Sequence, residues 1–368
     1  MLTEEKEKEI GVDKDESKKK FALQWHITAK CSNSCEHCYL QETEKKRAEI
    51  RNELSLRECF EIINDFKKTT KAWDVDGRIY FTGGDPLLKK GFFKLVEYAR
   101  EKGMEVGILG NPNLLDPQTA LMLKEMGVFY YQVSIEGMKE THDRIRGEGS
   151  FEETLRAIEA LNEAGISSNV MFTVSRENMD ELIPTIKLVS KMEVSAFDFA
   201  RLVPIGKGKQ YKDDLIDPLE YRNLLINVLE EYKRQRRKGS KTFFGRKDHL
   251  WKLLYQELGL SFLPSREDRM LLSGCQMGIA GLTVVSDGTV YACRRLPIEV
   301  GKVPKEKIRN IFIDSENLNN LRDVEKMEKC SRCYLFSYCR GCPAVAYGLT
   351  GSYFSPDPQC WKEIEKEV

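Results

Sequence analysis

Eleven cysteines constrain this 368-residue chain more than any other feature of its sequence. An odd number cannot be paired completely in disulfides, and cysteines at this frequency are typical of metal or redox sites. Ten of them form two groups, a triad at Cys31, Cys35 and Cys38 and a set of seven near the C-terminus. The remaining one, Cys59, lies in an amphipathic pattern and is expected to be a small core residue. The cysteines therefore predict metal centres, not a disulfide framework.

Length, charge and hydropathy exclude several classes of protein. A chain in which 41% of residues are hydrophobic can bury a substantial core. Lys plus Arg and Asp plus Glu both number 58, so no overall field attracts nucleic acid or an anionic membrane. No stretch reaches the roughly 18 apolar residues of a membrane span, and residues 1–20 form a charged tail without the apolar centre of a signal peptide. We expect a cytoplasmic protein.

Short apolar runs alternate with amphipathic stretches between residues 21 and 210. The runs predicted as strands are Phe21–Thr28, Arg78–Phe81, Glu105–Leu109, Phe129–Ile135, Ser168–Val174 and Ala196–Leu202. The stretches predicted as helices are Leu54–Lys68, Phe92–Lys102, Pro117–Met126, Phe151–Ala164 and Met179–Lys191. A capping-box pattern of Ser55 and Glu58 supports the first helix. The alternation predicts an α/β fold with a parallel sheet, open or closed into a partial barrel, whose chemistry lies at the C-terminal strand ends.

The alternation is expected to stop near residue 210. Residues 211–270 are predicted to be a helical bridge, with a helix at Tyr221–Gln235 and a basic segment at Lys233–Lys247. That segment is interpreted as a solvated helix face followed by a loop, with binding of an acidic peptide as the alternative. Residues 271–368 predict a small, loop-rich second domain without a large core, in which Leu282–Val285 and Thr289–Cys293 flank a hairpin turn.

The triad Cys31, Cys35 and Cys38 directly follows the first predicted strand. Thiolates suit iron–sulfur clusters or zinc, but a structural zinc site requires four protein ligands, and His37 is the only other local candidate. A [4Fe–4S] cluster bound by three cysteines would leave one iron open to a small-molecule ligand. We therefore interpret the triad as a cluster site with a reactive iron.

The spacing Cys-x3-Cys-x2-Cys after the first strand resembles the radical S-adenosylmethionine (SAM) superfamily. The resemblance implies a partial (β/α)6 TIM-like barrel in which SAM chelates the open iron through its amino and carboxylate groups. It also implies reductive cleavage of SAM to a 5′-deoxyadenosyl radical, which abstracts a hydrogen atom from the substrate. An electron donor such as flavodoxin or ferredoxin would be a partner.

A second motif, FTGGDP, follows the second predicted strand and resembles the family loop that binds the SAM amino group. Asp85 stands where the family usually has Glu. The resemblance makes both glycines, the acid and the proline cofactor-binding candidates: Gly83, Gly84, Asp85 and Pro86. Weaker candidates for SAM or substrate contacts are Ser134, Glu136, Arg146, Asn169, Thr173 and Arg201. Arg146 is predicted to lie in a loop. For each weaker candidate the alternative is a polar group that satisfies the end of a strand.

The C-terminal cysteines contain two Cys-x2-Cys pairs, at Cys330–Cys333 and Cys339–Cys342, which by themselves would also suit a zinc knuckle. The order of all seven resembles the SPASM extension, which carries two auxiliary [4Fe–4S] clusters. The resemblance assigns the first auxiliary cluster to Cys275, Cys293 and Cys342. It assigns the second auxiliary cluster to Cys330, Cys333, Cys339 and Cys360. Because the sequence has no eighth cysteine, the first auxiliary cluster would have an open iron unless water or another side chain binds that iron.

Enzymes with this extension modify ribosomal peptides, oxidise a Cys or Ser of sulfatases to formylglycine, or act on tetrapyrroles in haem synthesis. The segments FALQWHITAKCSNSCEHCYL and HDRIRGEGSF look most like peptide maturases. We expect maturation of a small precursor peptide, such as thioether or other cross-link formation, with the tetrapyrrole and sulfatase reactions as alternatives. A non-enzymatic iron–sulfur carrier or zinc scaffold is a further alternative. Only 30 residues precede Cys31, so we expect the leader of the peptide to be recognised by a separate protein, by the SPASM face or by the basic segment Lys233–Lys247.

Overall fold

A computed structural model describes residues 19–40, 43–261, 263 and 270–363. The charged tail predicted for residues 1–20 falls outside this part of the chain except for its last two residues. Seven parallel strands follow in order: β1 (Lys20–Thr28), β2 (Asp76–Gly83), β3 (Glu105–Leu109), β4 (Tyr130–Ser134), β5 (Ser167–Val174), β6 (Ala196–Arg201) and β7 (Phe243–Phe244). Three further strands are β8 (Gly281–Val284), β9 (Thr289–Cys293) and β10 (Leu296–Lys302). The predicted mixed α/β class is confirmed.

Helices connect and cover the strands. Those before β6 are α1 (Thr43–Arg51), α2 (Leu56–Ala72), α3 (Phe92–Glu101), α4 (Pro117–Glu125), α5 (Lys139–Arg146), α6 (Ser150–Ala164) and α7 (Leu182–Lys191). Those after it are α8 (Pro218–Arg237), α9 (Trp251–Glu257), α10 (Ile308–Asp314), α11 (Glu316–Arg322) and α12 (Pro343–Thr350). The capping box predicted at Ser55 and Glu58 is present at the start of α2. None of the helices described here is long and apolar enough to cross a membrane.

The order of the strands brings the expected loops together. The sheet runs β10-β9-β8-β1-β2-β3-β4-β5-β6-β7. Thr28 at the end of β1 pairs with Gly83 at the end of β2. Because β1 to β7 are parallel, the loops that follow them lie at one edge of the sheet. The loop of the cysteine triad therefore lies beside the two-glycine loop.

The C-terminal hairpin is not a separate, core-poor unit, as the sequence suggested. Strand β8 pairs with β1 in parallel, from Ala22 with Gly281 to Trp25 with Val284, and β9 and β10 continue the same sheet. Val284 and Leu296 belong to the hydrophobic cluster that also contains Trp25. Pairing across some 260 positions leaves no local sequence signal, so the continuity of the sheet was not visible from the pattern.

Two local predictions were also wrong. Arg146 is the last residue of helix α5, not part of a loop. Only His142, Asp143 and Ile145 of that short polar helix are buried, so it lacks an apolar period. The alternation does not stop at residue 210, since β7 adds a parallel strand beside β6. A strand of two residues is too short to show a period.

Candidate functional site

The cysteine triad lies on a cleft at the C-terminal edge of the strands. Cys31, Cys35 and Cys38 all line this cleft, which has a cavity volume of about 170 Å³ and opens to solvent. The loop that carries them is tied to helix α5, because the Glu36 N–H donates to the carbonyl of Ile145 at 2.9 Å. None of the three cysteines is in a disulfide. Three thiols are thus presented to one space.

The two-glycine loop packs directly against the triad loop. The Gly84 N–H donates to the Thr28 carbonyl at 2.9 Å and the Asp85 N–H to the Lys30 carbonyl at 2.8 Å. A Cβ atom at Gly84 would overlap the Lys30 carbonyl oxygen and lie 2.8 Å from the Cβ of Cys31. Only glycine permits this approach, and both Gly83 and Gly84 expose their backbone to the cleft.

Asp85 and Pro86 do not line the cleft. The buried Asp85 carboxylate accepts from the Leu87 N–H at 3.2 Å and caps the short 3₁₀ turn Pro86–Leu88. Burial raises the pKa of Asp85 to about 6. Asp85 thus stabilises the shape of the loop, whereas Gly83 and Gly84 of the same loop face the cleft.

A buried carboxylate organises the opposite side of the cleft. Glu136 accepts from Arg146 Nη2 at 2.8 Å and from the Thr173 N–H at 2.7 Å, and its Oε1 lies 3.2 Å from His37 Nε2. Burial opposes ionisation, but Arg146 and His37 outweigh it and lower the pKa of Glu136 to about 2. Arg146 lines the cleft, whereas Glu136 does not. Burial opposes the charge of Arg146, but the nearby Cys35 and Glu136 outweigh it and raise the pKa of Arg146. Glu136 therefore positions Arg146 beside the triad.

The remaining candidates divide between the cleft and the framework. Ser134 and Thr173 line the cleft. Asn169 is not among its lining residues, since it lies further back along β5 than Met171 and Thr173. Arg201 touches the rim, but its buried guanidinium donates to Asp248 at 2.8 Å and to both carboxylate oxygens of Asp357. Its donors are occupied by the protein.

Sequence reasoning missed several cleft residues. Asn111 donates from Nδ2 to Cys31 Sγ at 3.2 Å. It lies in the Gly-Asn-Pro turn after β3, so the turn signal could have identified it. Other residues that line the cleft and were not predicted are Lys46, Gln132, Met171, Arg294 and Arg295. Arg294 and Arg295 come from the turn between β9 and β10, which reaches the cleft because β8 pairs with β1.

The cleft is strongly positive. Among the described residues that line it, the charged side chains are all basic: Lys46, Arg146, Arg201, Arg294 and Arg295. Arg146 and Arg201 have the carboxylate partners given above, but no described carboxylate forms an ion pair with Lys46, Arg294 or Arg295. Thiolate ligands of a cluster would balance part of this charge. The unpaired cations favour a ligand with carboxylate groups.

The seven C-terminal cysteines line two further cavities. One contains Cys275, Cys293 and Cys342. The other contains Cys330, Cys333, Cys339 and Cys360. This grouping is the one implied by their order in the sequence. Burial raises the pKa of Cys275 and of Cys330 to about 12. Cys59, in contrast, is 1% exposed within the core, as predicted.

Comparisons with known proteins define the class. Residues 25–189 match the radical SAM superfamily, and residues 275–334 match the SPASM iron–sulfur cluster-binding domain. An AdoMet-dependent haem synthase of Methanosarcina barkeri is 30% identical over 92% of this chain and 95% of its own length. The chain belongs to the radical SAM superfamily and carries a SPASM domain.

Three other similar proteins are one relative in sequence and two solved structures. Mycofactocin maturase MftC of Mycolicibacterium smegmatis is 28% identical over 92% of this chain and 82% of its own. The structure of anSMEcpe with bound AdoMet superposes with a TM-score of 0.72 at 20% identity, covering 93% of this chain and 94% of that one. The SAM-bound structure of SuiB from Streptococcus suis gives 0.71 at 17% identity, covering 94% and 78%. These structures show the fold.

Proposed function

We propose that the chain cleaves SAM at a [4Fe–4S] cluster bound by Cys31, Cys35 and Cys38 and modifies a small ribosomal precursor peptide. The donor set fits such a cluster, because three free thiols share one cleft. Burial raises the pKa of Cys35 and of Cys38, and nearby Cys31 adds to both shifts. Iron would offset the repulsion between their thiolates. With SAM bound, the cluster would supply the 5′-deoxyadenosyl radical that abstracts hydrogen.

The chain's own residues would hold the reactants. Gly83 and Gly84 allow a ligand to approach the backbone, and Asn111 donates to the sulfur of Cys31. Arg146, held by Glu136, offers a guanidinium to an anionic group. The apolar side chains that line the cleft, Leu40, Leu109, Met171, Leu202 and Val203, would keep water from the radical.

The two C-terminal cavities are proposed sites of auxiliary [4Fe–4S] clusters. The cavity of Cys330, Cys333, Cys339 and Cys360 offers four thiols, which suffice for a cluster with no open iron. The cavity of Cys275, Cys293 and Cys342 offers three. An external donor such as flavodoxin or ferredoxin would supply electrons to the enzyme.

The observation that supports a peptide is a groove that continues the cleft to the surface. Tyr39, Leu40 and Arg294 line both spaces. The groove then passes between helix α12 and the 3₁₀ turn Gly206–Tyr211. Its basic residues are Lys45, Lys209, Lys212 and Arg294, against the single acid Glu49 among the described lining. A basic groove that adjoins the cleft suits a peptide that carries carboxylates.

A tetrapyrrole is the second candidate. One relative that is 30% identical is an AdoMet-dependent haem synthase, and another is an Fe-coproporphyrin III synthase, while the 28% identity to MftC does not separate the two reactions. The unpaired cations of the cleft would also bind the propionate groups of a porphyrin. The basic groove that shares Tyr39, Leu40 and Arg294 with the cleft supports the peptide, because it offers space for substrate beyond the cleft.

Anaerobic turnover distinguishes the two substrates. Reconstituted enzyme, SAM and dithionite would be incubated separately with synthetic peptides encoded beside the gene and with iron coproporphyrin III. We expect a peptide to lose hydrogen, seen by mass spectrometry, in proportion to the 5′-deoxyadenosine formed. Conversion of the porphyrin alone would refute the peptide proposal and favour the second candidate.

A further inference from the structure

The cavity with only three cysteines also contains a histidine. His249 lines it together with Cys275, Cys293 and Cys342. No hydrogen bond or ion pair joins its imidazole to any described residue, and the residue is only partly exposed. A neutral imidazole has one ring nitrogen with a lone pair that can bind a metal. Hydrogen bonding within the protein does not account for this imidazole, which lines the same cavity as three thiols.

The other polar residues of the cavity are poorer iron ligands. Arg295 has no lone pair to donate. The hydroxyl of Tyr80 already accepts from Arg78 Nη1 at 2.9 Å. Gln24, Gln276 and Thr283 offer only amide or hydroxyl groups, whereas cysteine sulfur and histidine nitrogen are the protein ligands that iron–sulfur clusters accept.

One buried ion-pair network positions His249 and Cys342 together. Arg201 donates to Asp248, the residue before the histidine, at 2.8 Å. The same guanidinium donates to Asp357 Oδ1 at 2.6 Å and Oδ2 at 2.8 Å. Asp357 Oδ2 in turn accepts from the Cys342 N–H at 2.7 Å. The backbone on both sides of the cavity is therefore fixed by a single arginine.

We propose that His249 is the fourth protein ligand of the first auxiliary cluster, completing a set with Cys275, Cys293 and Cys342. The proposal rests on the auxiliary cluster of the proposed function and not on the identity of the substrate. Nitrogen ligation raises the reduction potential of an iron–sulfur cluster relative to ligation by four thiolates. The first auxiliary cluster would then have no open iron in the resting enzyme. Its reduction potential would be higher than it would be with four thiolate ligands.

Pulsed electron paramagnetic resonance tests this ligand directly. The full chain carrying Cys31→Ala, Cys35→Ala and Cys38→Ala would be grown with ¹⁵N-histidine, reconstituted and reduced, so that no signal arises from the triad. We expect a ¹⁵N hyperfine coupling to a reduced cluster. It should be lost in His249→Cys, which supplies a fourth thiolate, while iron content is unchanged and the reduction potential falls. It should persist in His37→Gln, whose imidazole lies at the triad loop.

Three results would overturn the proposal. The first is the absence of any histidine coupling in a fully iron-loaded parent. The second is a coupling that survives in His249→Cys, and the third is an unchanged potential in that variant. A separate failure concerns the cluster itself, since iron content unaffected by Cys275→Ala with Cys293→Ala would show that no cluster binds there.

Discussion

Replacing Glu136 by Gln tests whether a buried carboxylate organises the cleft. The side chain is fully buried, and its partners lower its pKa from 4.5 to about 2. A shift of about 2.5 units corresponds to roughly 3 kcal/mol of stability at neutral pH. Glu136→Gln keeps the shape but removes the charge that Arg146 faces. We expect the free energy of unfolding at pH 7 to fall by about that amount.

The pH dependence of this loss gives the sharper test. Because the folded pKa is depressed, the contribution is complete above the unfolded value near 4.5 and is lost as pH falls toward about 2. Urea unfolding of the iron-free protein, followed by circular dichroism, should therefore show a difference between wild type and Glu136→Gln that shrinks to about 2 kcal/mol near pH 3.5.

Glu105→Gln provides the matched control. Glu105 forms ion pairs with Lys20 and Arg78 at a partly exposed site, where such pairs contribute about 1 kcal/mol or less. A loss in Glu136→Gln no larger than in this control, or a loss that does not change with pH, would refute the role given to Glu136.

Three further predictions concern the network, the triad and the groove. Arg201→Met leaves two buried carboxylates unpaired, so it should lower the free energy of unfolding by about 3–5 kcal/mol in the same urea assay, and an effect below 1 kcal/mol would contradict the network. Asn111→Ala should shift the potential of the triad cluster and slow SAM cleavage, measured by redox titration and chromatography, while exposed Asn113→Ala should do neither. Arg294→Glu should raise the KM of an acidic peptide substrate at least about tenfold in steady-state kinetics, and an equal rise in exposed Lys233→Glu would point to the basic segment instead.

Local patterns predicted the elements that carry the triad. Strand β3 begins and ends at the predicted residues, the capping box lies at the predicted Ser55 and Glu58, and helix α2 begins at Leu56, two residues after the predicted start. Cys31 and Gly84 could be placed at one edge because parallel strands end there, and the close approach of their loops requires the glycine.

What the sequence could not reveal depends on contacts between distant residues. Arg201 was expected at the ligand, but Asp357, 156 positions away, binds its guanidinium. Arg294 reaches the cleft only because β8 joins β1. The sequence shows an acid after the two glycines, but it does not show where the side chain points. In the structure the Asp85 carboxylate caps the 3₁₀ turn Pro86–Leu88. Periodicity and spacing do not encode such long-range pairing.

The central claim is that the triad supports reductive cleavage of SAM. The most direct measurement is 5′-deoxyadenosine released by the anaerobically reconstituted chain with SAM and dithionite. We expect steady formation by the wild-type protein, none by Cys35→Ala, and some by Cys333→Ala, which alters only the proposed second auxiliary cluster. No 5′-deoxyadenosine from a wild-type protein with full iron loading, or equal amounts from Cys35→Ala, would contradict the claim.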